Sequence, residues 1–185
     1  PWDVNADFSL ADVAYLICRG GWPISVLAQR EIAVDVTKNY FNSLFVFEDC
    51  ENERFRNKQP EILKMIVRSY ARHISTEAAV STIVADLRQN NERTMDIKTY
   101  NEYVEALGDL FILEDMPAWN PNIRSKTAIR STPTRHFVDT SIACRALGVG
   151  PDDLLNDLES FGLFFEDMAV RDLRIYAEVN GGEVR

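Results

Sequence analysis

The segment Arg135-His136-Phe137-Val138-Asp139-Thr140-Ser141-Ile142-Ala143-Cys144-Arg145-Ala146-Leu147-Gly148 constrains the fold most, because a short apolar strand candidate runs straight into an acid and a helix. Arg135 to Val138 predicts a strand. Asp139 leads into the cap of a helix predicted from Ser141 to Leu147, which Gly148 ends. Pro151 to Leu158 predicts a further helix, started by Asp152 and Asp153 near its positive end. Ser160 to Glu178 predicts one long amphipathic helix.

The earlier part of the chain is also helical in pattern. Ser9 followed by Asp12 has the form of a capping box, and Leu10, Val13, Ala14 and Ile17 share a face until Gly20-Gly21 ends the helix. Ile32, Val36, Tyr40, Leu44 and Phe47 recur at about four residues, predicting a second helix that runs to near Asp49. The polar run Glu48 to Lys58 reads as a linker. Pro60 suits the first position of a third helix bearing Ile62, Met65, Ile66 and Tyr70. A fourth follows near Thr76 to Leu87, a fifth near Ile97 to Leu107, and Phe111-Ile112-Leu113 is a strand candidate. Three short helices before an extended segment is the order of a winged helix. Its third helix would expose Lys98, Asn101, Glu102 and Glu105. Carboxylates on that face oppose phosphate, which favours a protein-facing or structural use.

Composition sets limits on function. Hydrophobic residues make up 46% and charged residues 26%, ordinary for a packed core. With 29 acids against 20 bases, the net charge of -9 excludes whole-surface attraction to nucleic acid or anionic lipid, leaving only a local basic patch. Such a patch is offered by Trp119 to Arg135, where Arg124, Lys126, Arg130 and Arg135 occur without one acid. It reads either as a phosphate-contact surface or as a solvated turn balancing the acidic helices. Cys18, Cys50, Cys144, His73 and His136 show no zinc-ligand spacing, and no apolar run spans a bilayer, so a reduced, cytoplasmic protein with no membrane contact is expected.

No phosphate-cradling loop is present, and Gly20-Gly21-Trp22-Pro23 reads as a helix stop and rigid turn. No nucleophile elbow accompanies His73 or His136. Glu166, within Phe161-Gly162-Leu163-Phe164-Phe165-Glu166-Asp167, is a candidate oxygen ligand for a divalent metal. The plainer reading is an acid at the edge of a buried face, satisfied by Arg171, Arg174 or solvent.

Thr99-Tyr100-Asn101-Glu102-Tyr103-Val104-Glu105-Ala106-Leu107, Leu110 to Trp119 and Arg135-His136-Phe137-Val138-Asp139, together with Gly20-Gly21-Trp22-Pro23 and Phe164-Phe165-Glu166, carry a family resemblance. In these stretches the chain resembles bacterial AAA-type ATPases with a C-terminal domain of unknown function. The resemblance implies a mainly α fold with a few short strands. It divides the chain into a helical lid over residues 1–58, a winged helix over 59–118, and the start of an α/β, restriction-endonuclease-like domain over 119–185. Glu166 matches that fold's first-helix acid. The phosphate loop, its magnesium-binding acid and the later Asp and Glu-x-Lys positions are absent from this chain. ATP and magnesium are therefore expected on an ATPase domain preceding it, with no cofactor in the chain itself.

The missing initiator Met and the final Gly181-Gly182-Glu183-Val184-Arg185, which looks like a turn entering a strand, fit the middle of a larger protein; the alternative is a complete domain trimmed at both ends. The leading expectation is a non-catalytic region that couples nucleotide state to DNA or another partner, with Glu51 to Lys58 as hinge. The rival expectations are a DNA-binding regulator or nuclease-like module, and a protein-interaction adaptor with an aromatic face around Trp119.

Overall fold

A computed structural model of the protein describes residues 8–46, 58–91, 94–119, 131–182 and 184. The chain is mainly α. Its helices are α1 (Leu10–Arg19), α2 (Pro23–Leu27), α3 (Arg30–Ser43), α4 (Pro60–Ala71), α5 (Val80–Asn91), α6 (Ile97–Asp109), α7 (Thr140–Leu147), α8 (Pro151–Asn156) and α9 (Leu158–Val179).

Local chemistry sets most of these boundaries. Ser9 accepts the Asp12 N–H while Asp12 accepts the Ser9 N–H, each at 3.2 Å, so the expected capping box starts α1. Asp96 caps α6 through the Thr99 N–H at 2.7 Å, and Asp157 caps α9 through the Ser160 N–H at 3.2 Å. Pro23, Pro60 and Pro151 begin α2, α4 and α8, where a missing N–H costs nothing. Gly148, at φ +72°, closes α7 in the left-handed conformation.

Several expected elements differ, and the helix expected from Thr76 to Leu87 is α5, displaced to Val80–Asn91. The helix expected to reach Asp49 is α3, which ends at Ser43, and a separate short helix, α2, precedes it. Phe111-Ile112-Leu113 is not a strand. Phe111 sits at φ +54° in the turn closing α6, and its N–H bonds to the Gly108 carbonyl at 2.9 Å. Among the described residues the extended content is a pair of isolated antiparallel bridges, Leu113 with Phe137 and Met116 with Thr134, so the strand expected from Arg135 to Val138 is reduced to the single bridge at Phe137. The expected linker from Glu48 to Lys58 lies outside the described residues apart from Lys58.

Helices α4, α5 and α6 pack mutually, and α4 also packs on α7. On the other side of α7 lie α1 and α3, with α8 and α9 closing over α1. One hydrophobic cluster runs through all of these, from Ala14 and Ile17 through Leu63, Ile66, Tyr70 and Tyr100 to Ile142, Leu154 and Phe164. The described residues of the spans 1–58, 59–118 and 119–185 therefore share a continuous core. Burying an Ile or Leu completely contributes roughly 1.5–3 kcal/mol, so Leu63, Ile66 and Ile142 are major stabilising residues.

Candidate functional site: a buried polar junction

The bend between the Phe137 bridge and α7 lies among three acid-centred clusters, and each acid ties together elements distant in sequence. Asp139 is 4% exposed, yet both of its carboxylate oxygens are engaged. One accepts the Gly21 N–H at 2.7 Å and Arg171 Nη1 at 2.8 Å. The other caps α7 through the Ser141 N–H at 2.9 Å and also accepts the Ser141 hydroxyl. Trp22 Nε1 donates to that hydroxyl at 3.0 Å. A single carboxylate thus holds the α1–α2 turn, the start of α7 and the middle of α9.

Gly20 fits this arrangement only because it lacks a side chain. Its backbone is at φ +72° and ψ -176°, a region open essentially to glycine. A Cβ there would lie 2.3 Å from Asp139 Oδ1 and 2.5 Å from Ser141 Oγ. The helix stop expected at Gly20-Gly21 is correct, and Gly20 also lets the backbone approach Asp139.

The second cluster centres on Asp167, which is fully buried. It meets His136 Nδ1 at 2.9 Å, accepts the Phe137 N–H at 3.0 Å and accepts the Thr140 hydroxyl at 2.7 Å. His136 Nε2 is buried with no hydrogen-bond partner. In the third cluster Asp115 accepts from the Tyr70 hydroxyl and pairs with Arg135. Burial, followed by the charge of Asp115, pushes the Tyr70 phenol far above its usual range, so it stays a hydrogen-bond donor. Arg174 extends the network by donating to the Glu114 carbonyl at 2.8 Å.

Arg135, expected among the phosphate-contacting bases, is buried at 6% exposure. Its guanidinium is occupied by Asp115 and by the Ala78 carbonyl at 3.0 Å. The structure gives it an internal use, because the neighbouring carboxylate compensates a cation that burial would otherwise penalise. Arg124, Lys126 and Arg130 lie outside the described residues. Glu166 is exposed, and the acid drawn into the core is its neighbour Asp167. Arg171 is committed to Asp139 and Asp172, and Arg174 to Glu114, so neither neutralises Glu166. Among the described residues no three His, Cys, Asp or Glu side chains are grouped to hold a metal.

Sequence reasoning passed over Asp139, Asp167 and Asp115 as functional positions. A usable signal existed for Asp139, an N-cap acid in a chain with a Gly-Gly turn that requires close backbone approach. Asp167 gave none, since its burial depends on the rotation of α9.

These clusters position and fasten; each acid is saturated by donors, and none is left free as a base. The model of DUF8612, a domain of unknown function, matches residues 10–153, and the chain belongs to that family. The matched span includes Gly21, Asp115, His136 and Asp139, whereas Asp167 and Arg171 lie beyond it. No curated protein and no solved structure matches the chain. Among the described residues no helix is long and apolar enough to cross a membrane.

Proposed function

We propose that this chain is a non-catalytic coupling region of a cytoplasmic, bacterial AAA-type ATPase, passing a nucleotide-driven movement of its first helices to a macromolecular partner, DNA or protein. The Asp139 junction carries this reading. Because one buried carboxylate binds both Gly21 and Arg171, displacement of the α1–α2 turn must either move α9 or break a desolvated ion pair.

Apolar exposure supports it at both ends of the junction. Ile24 and Leu27 on α2 are 70% and 87% exposed. On α9, Leu158, Phe165, Leu173, Tyr176 and Val179 fall at spacings of seven, eight, three and three, and all are exposed. Contiguous apolar faces of this kind mark surfaces that other domains or partners cover. ATP and magnesium would be held by the preceding ATPase domain.

The test is amide hydrogen exchange on the full-length protein with and without a non-hydrolysable ATP analogue. Altered protection at Gly20 to Trp22 together with the Arg171 region is expected. Nucleotide binding that leaves both unchanged, or a gene whose start codon immediately precedes Pro1, refutes the reading.

A protein-interaction adaptor is the second reading, favoured by the α9 stripe. The double variant Leu173→Lys, Tyr176→Glu should lose partner co-purification while retaining its helical circular dichroism. Retained co-purification would dismiss that face as the docking surface.

A further inference from the structure

We propose that Cys18 and Cys144 form an oxidative modification site, a dithiol that a hydroperoxide converts into a disulfide clamping α1 to α7. Their sulfurs lie 3.8 Å apart although the residues are separated by 126 positions. They are the free cysteines among the described residues, and both are fully buried. A disulfide requires an S–S length of about 2.05 Å, so bond formation needs a closure of roughly 1.8 Å shared between two short side chains. Helices α1 and α7 already pack together.

The two thiols differ in a way that gives each a role. The hydrogen bond joining the two sulfurs lowers the Cys18 thiol despite burial, and the positive charge of Arg145 adds to the effect. Burial, followed by the neighbouring Cys18, pushes Cys144 well above its usual range. Cys18 is taken as the attacking thiolate and Cys144 as the resolving thiol, and the disulfide product is the same if the order is reversed. A cleft of about 490 Å³ lined by Lys38, Phe41, Arg145 and Val149 opens beside the residue that follows Cys144, but neither cysteine lines it. Both thiols are fully buried, so a peroxide reaches them only when the packing of α1 on α7 opens locally.

In the first step the Cys18 thiolate attacks one peroxide oxygen, the O–O bond breaks, and the departing oxygen takes a proton to leave as water. Cys18 is then a sulfenic acid. The Cys144 sulfur next attacks the Cys18 sulfur, forming the S–S bond and breaking the S–O bond. The hydroxyl leaves with the thiol proton as a second water. Two thiols are oxidised and one hydrogen peroxide is reduced to two waters. The clamp fixes α1 to the helix that Asp139 caps, and this inference stands independently of the ATPase reading.

Protein carrying Cys50→Ser is treated with hydrogen peroxide, unfolded, alkylated and digested without reduction, then mapped by mass spectrometry. The expected product is a Cys18 peptide joined to a Cys144 peptide, released by dithiothreitol, with a thermal midpoint raised by roughly 10 °C before reduction. Complete alkylation of both cysteines overturns the proposal, as does Cys18 recovered as sulfinic acid beside a free Cys144. Mapping without a Cys18 or Cys144 substitution keeps the result independent of how well such a variant folds.

Discussion

Arg171 and Asp139 meet at 2.8 Å with side chains only 13% and 6% exposed, and the oxygen that binds Arg171 also accepts the Gly21 N–H. Such a pair need not stabilise more than well-packed apolar residues would, but removing one partner strands the other away from water. Arg171→Met should therefore cost about 3 kcal/mol in urea unfolding. Asp139→Leu should cost at least as much, because Gly21 and Ser141 also lose their acceptor. A midpoint within error of the parent for either variant would show the junction to be energetically idle.

Gly20 and Gly148 share φ +72° but have different surroundings. Alanine at Gly148 meets nothing within 4 Å and should cost only the left-handed backbone penalty, about 1 kcal/mol. Alanine at Gly20 would collide with the Asp139 carboxylate and the Ser141 hydroxyl, so a loss of about 3 kcal/mol or more is expected. Equal thermal midpoints for the two variants would contradict the close approach at Gly20.

Adjacent acids on α9 should behave oppositely. Glu166→Ala removes an exposed side chain and should change stability by less than about 0.5 kcal/mol. Asp167→Ala strands His136, the Phe137 N–H and the Thr140 hydroxyl in the core, and should cost about 3 kcal/mol. Denaturant titration of both variants tests the contrast, and a larger loss for Glu166→Ala would mean that α9 is rotated from the face described.

Acid should weaken the α4–α5 packing in two steps. Burial holds the His73 imidazole below its ordinary range, an effect that the nearby Arg72 and Arg135 charges reinforce and Asp86 opposes. The unfolded chain then binds the proton more readily, so this stability is complete above the unfolded value of about 6.5 and is lost as pH falls toward the lower folded value. Burial raises Asp86, but hydrogen bonds from Arg72 and Ser69 outweigh it and leave the carboxyl below its usual range. Its contribution persists above about pH 4 and disappears as pH falls through the folded value. His73→Leu should flatten the first phase of stability against pH and leave the second. An unchanged first phase would assign it to another group.

Periodicity and local signals were sufficient for most helices, since the Ser9 cap acts on an N–H three residues away and Pro60 and Pro151 act on their own backbone; Asp96 and Asp157 act in the same local way but were not singled out as caps. The exposed face expected for α6 also holds, with Lys98, Asn101, Glu102 and Glu105 all exposed. Local pattern failed at Phe111, where an apolar triplet suited to a strand was taken into the turn that closes α6. It failed again at Arg135, whose charge suggested a surface role while Asp115, 20 residues away, held it inside.

The candidate site was less legible than the fold because its bonds are long-range. Asp139 reaches 118 residues back to Gly21, His136 reaches 31 forward to Asp167, and Cys18 and Cys144 lie 126 apart. By itself the sequence determined which segments are helical, which faces are apolar and, where a cap or proline acts, where a helix starts, because those effects act within one or two turns. Tertiary structure alone decided which acids are buried, since burial of Asp167 rather than Glu166 follows from how α9 lies against the bend at His136 to Thr140, and a carboxylate enters a core only where donors already converge.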